Sequence, residues 1–299
     1  MQCHRFSFAA MASENEIQLY GKTQPEATRI AELGINEVRR IEQTFSRYRD
    51  DSILSQINRA AGKHAVKIDT ETSSLLDYAD QCFKNSNGLF DITSGVLRRC
   101  WNFRVPQLPN PNDIDDLLKL IGWNKVERKN SSVFLRLPGM EIDFGGIGKE
   151  YAADRAATIM LNEGAQHGYI NLAGDIRVFG PQPNGEPWSI GIQHPRASEK
   201  VIASINLKEG ALATSGDYER YFDLDGKRYC HILNPKTGWP VMSAPQSVTI
   251  MAPLCIVAGS ISTIALLKEE ATAEFLTQSG LPYLLIDHDG NATASELQM

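Results

Sequence analysis

Between residues 26 and 46, apolar side chains recur at Ile30, Leu33, Ile35, Val38, Ile41 and Phe45 with charged residues between them, the spacing of an amphipathic helix. The same rhythm predicts helices over 52–61 and 72–86, the second after a threonine-rich start able to supply a cap. Beyond residue 112 the pattern shortens to alternating runs. These predict strands at 132–137, 169–172, 188–193, 201–207, 211–214, 247–252 and 283–287, with a further strand over 140–144. Helical spacing returns over 149–163, 253–268 and 271–279. The reading is a mixed α+β fold, helix-rich before and strand-rich after a soft boundary at 105–112. There, three prolines in Val105-Pro-Gln-Leu-Pro-Asn-Pro-Asn112 argue for a surface connection. No repeat, low-complexity tract or flexible linker divides the chain, so residues 1–299 are expected to form one unit.

The longest uncharged stretch, 239–267, raises the question of a membrane span. Pro240, Pro245, Gln246 and Pro253 interrupt it, and a strand followed by a helix opening at Pro253 accounts for it, so no integral span is expected. The 299 residues are 42% hydrophobic and 22% charged, enough to bury a large core. A net charge of -6 gives no basic field for phosphate backbones, which sets nucleic-acid binding aside. Cys3, Cys82, Cys100, Cys230 and Cys255 are odd in number and widely spaced, arguing against a disulfide framework or a zinc site. Residues 1–11 have basic character without the apolar run of a secretory leader. A cytoplasmic location is expected, with the periplasm the alternative for a trimmed start.

Glycine-rich turns that open helices present free backbone N–H groups to anions. Asp143-Phe-Gly-Gly-Ile-Gly-Lys149 has this form, although it matches neither a Walker A loop nor G-x-G-x-x-G. By itself it is equally an ordinary strand-to-helix turn. Thr214-Ser-Gly-Asp217 at a predicted strand end and His231-Ile-Leu-Asn-Pro-Lys-Thr-Gly238 are also turn-like, and His231 is either a general base or a structural histidine. Ser46-Arg-Tyr-Arg49 with Ser52-Ile-Leu-Ser55 and Asn58, Gly88-Leu-Phe-Asp-Ile-Thr93, Asn171-Leu-Ala-Gly-Asp175 and Ala258-Gly-Ser-Ile-Ser-Thr263 are weak signals one at a time.

Taken in order, these segments resemble the ApbE family of FAD:protein FMN transferases, and the resemblance runs from about Phe8 to Asp287. It implies largely antiparallel sheets with packed helices in a T-fold-like arrangement. It also implies transfer of FMN from FAD to a threonine hydroxyl of an acceptor protein, leaving AMP. By the same resemblance, Met11, Tyr48, Leu89, Phe90, Asp91, Asp143, Lys149, His231, Ile232 and Leu233 line the FAD site. Thr214, Ser215 and Gly216 border its pyrophosphate, and His231 accepts the threonine proton. For magnesium, the Gly146 carbonyl and the Thr263 hydroxyl remain, but Gly259 stands where the family carries an aspartate, so weakened Mg2+ binding is expected. Ala173 and Glu150, where glycine is common, and Asn234, where aspartate is common, are further departures. Two alternatives follow: a FAD-binding protein with little transfer and, ranked lower, a FAD pyrophosphatase.

Overall fold

The computed structural model describes residues 1–295. A hairpin of β1 (Gln2–Ala10) and β2 (Ser13–Gly21) leads into helices α1 (Gln24–Phe45) and α2 (Ile53–Arg59). Strand β3 (Val66–Lys67), helix α3 (Thr70–Asn85), a 3-10 helix (Ile92–Arg99) and α4 (Pro111–Leu118) follow, then β4 (Val126–Lys129) and β5 (Ser132–Leu135). Helix α5 (Gly148–Asn162) precedes β6 (Gly168–Leu172), β7 (Asp175–Phe179), β8 (Trp188–His194), β9 (Ala197–Leu207) and β10 (Glu209–Gly216). The chain closes with β11 (Tyr221–Leu224), β12 (Lys227–Cys230), β13 (Ser247–Ala252), α6 (Cys255–Leu267), α7 (Thr272–Ser279), β14 (Tyr283–Ile286) and β15 (Ala292–Ala294).

An antiparallel sheet in the order β1-β2-β6-β7-β10-β13-β14-β15 is the frame, which agrees with the α+β expectation. Its two faces are covered differently. On one, Ile17, Leu19, Ile170, Ala211, Ala213, Val248 and Ile250 pack beneath α1, α5 and α6. On the other, Ile176, Val178, Leu212 and Ile286 meet Trp188, Ile190, Ile192 and Ile205 of the β8–β9 hairpin. Cover on both faces explains why β13 reads as a nearly continuous apolar run. The uncharged stretch 239–267 is thus a central strand and a core helix; among the described residues no helix is long and apolar enough to cross a membrane.

The apolar stripe of α1 is buried as its periodicity predicts, at Ile30, Val38, Ile41 and Phe45. Gly34 lies on that stripe, where a β-carbon would stand 3.0 Å from Met160 Sδ; its absence lets α1 approach α5 closely. Helix α3 starts two residues before the predicted 72, because Asp69 and not a threonine is the cap, its carboxylate accepting from the Thr72 amide at 2.7 Å. The proline-rich segment is exposed and irregular over 105–110, and its last proline, Pro111, opens α4 with Asn110 as cap.

Two corrections concern strands. Residues 2–21, given no secondary structure from the pattern, form an edge hairpin of the sheet. Polar His4 and Asn15 occupy buried positions there and break the apolar alternation; Asn15 earns burial by donating to the Ala10 and Ser13 carbonyls. Residues 140–144 join no sheet, contrary to the predicted strand. Asn58 supplies the pairing a neighbouring strand would give: its Oδ1 accepts the Ile142 amide at 2.8 Å and its Nδ2 donates to the Ile142 carbonyl at 3.0 Å.

Candidate active site

The glycine turn is held from three sides. Asn58 fixes Ile142, and the Asp143 amide donates to the Ile92 carbonyl at 2.9 Å. Asp143 then pairs with Arg47 and accepts the Gly145 amide at 3.0 Å. The Phe90 ring lies under Gly146, where a β-carbon would be 3.1 Å from the ring, so glycine permits close stacking of backbone on aromatic. Helix α5 begins immediately afterwards without a side-chain cap; the Gly148 and Tyr151 amides donate to the Phe144 and Ile147 carbonyls at 2.7 and 3.0 Å, and those of Lys149 and Glu150 have no backbone acceptor among the described residues. Among the described residues, no backbone amide donates to the Gly146 carbonyl.

One turn into α5 the charges are buried. Lys149 Nζ meets Asp175 at 3.0 Å. Burial alone would lower the Lys149 pKa, but Asp175 and Glu150 outweigh it and hold the ammonium above its ordinary value. Asp175 enters from the turn between β6 and β7, where Ala173 carries a left-handed φ of 51° and Asn171 Oδ1 accepts the Gly174 amide at 2.8 Å. Asp154 reaches across to α6, which has no cap of its own, and accepts the Cys255 and Ile256 amides at 2.8 and 2.9 Å. Glu150, 6% exposed, packs against Gly259 of α6; burial first, then Asp175, raises its pKa. Its Oε2 has no hydrogen-bond partner.

His231 follows β12, its amide donating to the Arg220 carbonyl at 2.9 Å. The ring Nδ1 is buried and has no hydrogen-bond partner. Burial, then the charges of Arg220 and Lys149, push its pKa down to about 4, so the imidazole is neutral at physiological pH. Tyr48 is 75% exposed at the end of α1, its hydroxyl 2.8 Å from Arg47 and its ring 4.9 Å from that guanidinium. Partial burial raises its phenol, but the Arg47 hydrogen bond and the charges of Arg47, Arg220 and Arg98 bring it below the ordinary value. Three arginines, Arg47, Arg98 and Arg220, thus bear on Tyr48, of which Arg47 and Arg98 are paired with Asp143 and Glu141.

Ser215 Oγ lies 2.8 Å from Ser262 Oγ and 3.1 Å from Thr263 Oγ1, joining the end of β10 to the middle of α6. Other expected site residues are occupied by structure. Asp91 caps the 3-10 helix through Thr93 and takes the Trp123 amide at 3.0 Å; burial raises its pKa in spite of these bonds. Thr214 bonds Thr249 across the sheet at 2.8 Å, and Gly216 leaves room for the Tyr218 ring. Ile232 belongs to the main core, and Leu233 packs beside the aromatic cluster of Trp101, Phe222 and Tyr229. Leu89 is partly buried against the core, and Met11 sits in the β1–β2 turn with its amide bonded to Glu42 at 2.7 Å. An open cleft of about 410 Å³ brings the two segments 88–91 and 235–236 together, lined by Phe83, Gly88, Asp91, Gly122, Pro235 and Lys236.

Three residues that the site list drawn from sequence omits take part in this geometry. Arg47 and Asp175 stand inside the motif segments, so their charge was the available signal; Arg220, four residues beyond Gly216, had none. Fold and site together define a class: an α+β protein with Arg220 and Lys149 bearing on a neutral imidazole and a helix start without a side-chain cap. A sequence profile of the ApbE family matches residues 11–285. The chain is 32% identical over 254 residues to the FAD:protein FMN transferase of Klebsiella pneumoniae (strain 342), covering 83% of this chain and 77% of that protein. It is 33% identical over 233 residues to the FAD:protein FMN transferase of Chlamydia pneumoniae, covering 75% and 72%. The crystal structure of the ApbE protein of Thermotoga maritima superposes with a TM-score of 0.89 at 34% identity, covering 99% of this chain and 97% of that one. This chain belongs to the ApbE family.

Proposed function

We infer that this chain is a FAD:protein FMN transferase, moving FMN from FAD to a threonine hydroxyl of an acceptor protein. The observation that carries the reading is its relationship to FAD:protein FMN transferases over three quarters or more of its length. The threonine oxygen attacks the phosphorus of the FMN half, an O–P bond forms, the bridging P–O bond breaks, and AMP leaves. The hydroxyl proton goes to a base. His231 suits that role because its ring is unprotonated at neutral pH and its buried nitrogen has no partner within the protein. The anionic diphosphate would offset the field of Arg220 and Lys149, raising the imidazole's basicity when substrate is bound.

Lys149, through its ammonium and its backbone amide at the start of α5, would meet the diphosphate, while Tyr48, Leu89 and Phe90 offer surfaces to the flat rings. Asp143, tied to Arg47, braces the glycine turn by accepting the Gly145 amide. The donor chemistry near Gly146 and Thr263, a free carbonyl and a hydroxyl, suits a hard cation such as magnesium. Bound there, magnesium would neutralise charge developing on the diphosphate.

The test is incubation of the purified chain with FAD, Mg2+ and a panel of threonine-bearing acceptors, reading flavin fluorescence on denaturing gels and AMP by chromatography. A covalently fluorescent acceptor with equimolar AMP is expected. AMP without acceptor labelling would make the protein a pyrophosphatase, and FAD binding with neither product would make it a binding protein.

A further inference from the structure

Gly259 and Glu150 share one space. A β-carbon at Gly259 would lie 2.5 Å from Glu150 Cγ, 2.6 Å from its Oε1 and 2.9 Å from its Cδ, so only one of these positions can carry a side chain into the junction of α5 and α6. Position 259 carries none, and the Glu150 carboxylate fills the volume. Glu150 is 6% exposed, and its Oε2 is buried with no hydrogen-bond partner. A carboxyl oxygen left like this is costly unless a proton or a cation claims it.

The surrounding charges leave it unclaimed. Asp175 is paired with Lys149 at 3.0 Å, and Asp154 with Arg177 at 3.3 Å. No salt bridge reaches Glu150 among the described residues, so of three buried acids beside two cations it is the one without a cationic partner. Two neutral oxygens lie four residues along the chain from Glu150 and Gly259. Gly146, four residues before Glu150, has a carbonyl without an amide donor. Thr263, four residues after Gly259 and thus on the same side of α6, presents its hydroxyl beside Ser215. No three His, Cys, Asp or Glu side chains form a metal-binding group among the described residues. One carboxylate with a carbonyl and a hydroxyl is an all-oxygen set of the kind magnesium takes, waters completing its shell, without the nitrogen or sulfur ligands of zinc.

We propose that Glu150 is the anionic ligand of a divalent cation at the α5–α6 junction, supplying from α5 the carboxylate that Gly259 does not supply from α6. The inference deepens the transferase reading and rests on it for the cation's part in the reaction. It reverses the expectation of a weakened metal site: the ligand has changed helix and the space has been kept.

The test uses the whole chain and Mn2+ as the probe, titrated by electron paramagnetic resonance, with FAD binding followed separately by flavin fluorescence. The parent is expected to bind one Mn2+ that Mg2+ displaces. Glu150→Gln, close in shape and without charge, is expected to lose ~10- to 100-fold in Mn2+ affinity with its thermal midpoint kept or raised. The double variant Glu150→Gly with Gly259→Asp moves the carboxylate back across the contact and is expected to recover Mn2+ binding. Parent protein that binds no Mn2+, Glu150→Gln that binds as the parent does, or a double variant no better than Glu150→Gln would overturn the proposal. FAD binding retained in that event would leave the transferase reading standing. Glu150-dependent Mn2+ binding without any FAD binding would uphold the site and remove that reading.

Discussion

Replacing His231 with glutamine removes one titrating group from a buried position, and the structure sets how stability should respond to pH. The imidazole's folded pKa, about 4, lies below the ordinary 6.5. Burial is the main cause, and the charges of Arg220 and Lys149 add to it. An imidazole with a depressed folded pKa holds fewer protons in the native state than in the unfolded one. Its contribution is complete above pH 6.5 and disappears as pH falls through about 4. At about 1.4 kcal/mol per unit the gap corresponds to ~3 kcal/mol, reduced to ~2–3 kcal/mol because part of the ring meets solvent. Urea unfolding of the FAD-free protein and of His231→Gln, each at about pH 7 and about pH 4, isolates this contribution, since every other titrating group is common to both. The parent should lose ~2–3 kcal/mol more than the variant over that interval. Parallel losses would refute the buried, neutral imidazole and with it the case for His231 as a ready base.

Three further outcomes are expected. Ala173→Gly removes a left-handed strain at φ 51° whose cost is ~1–2 kcal/mol, partly offset by the freer unfolded chain, so thermal denaturation should show a gain of ~0.5–1 kcal/mol. Asn58→Ala strips both partners from the Ile142 backbone, and a loss of ~2–3 kcal/mol in chemical denaturation should accompany weaker FAD binding, because the same turn carries Asp143. Asp154→Ala leaves the first amides of α6 uncapped and frees Arg177, costing ~2 kcal/mol or more; hydrogen exchange should show the loss concentrated at Cys255 and Ile256.

The helices were legible wherever one face is buried and the other is wet, as for α1. Their starts were less so, because caps such as Asp69 for α3 and Asp154 for α6 act from outside the apolar pattern. The edge hairpin of residues 2–21 was hidden by buried His4 and Asn15, and the segment 140–144 reads as a strand because buried Met140, Ile142 and Phe144 alternate with acids, while Asn58 takes the place of a neighbouring strand. At the site, ordered motifs pointed to Tyr48, Asp143, Lys149 and His231 as site residues. Nothing in them showed that Asp91 is spent on capping or that Arg220 sets the field on His231.

The sequence by itself determined the family, through six segments in a fixed order, and the α+β alternation of periods that places them at turns and helix starts. It also showed two departures, Gly259 and Glu150, as separate losses from a pattern. Only the tertiary structure shows that the two positions share one volume. Side chains far apart in sequence compete for a single volume only when two helices pack, and no periodicity along the chain records which atoms then meet. Burial is likewise a property of the packed whole: it leaves the Glu150 oxygen without a partner and the His231 imidazole without a proton.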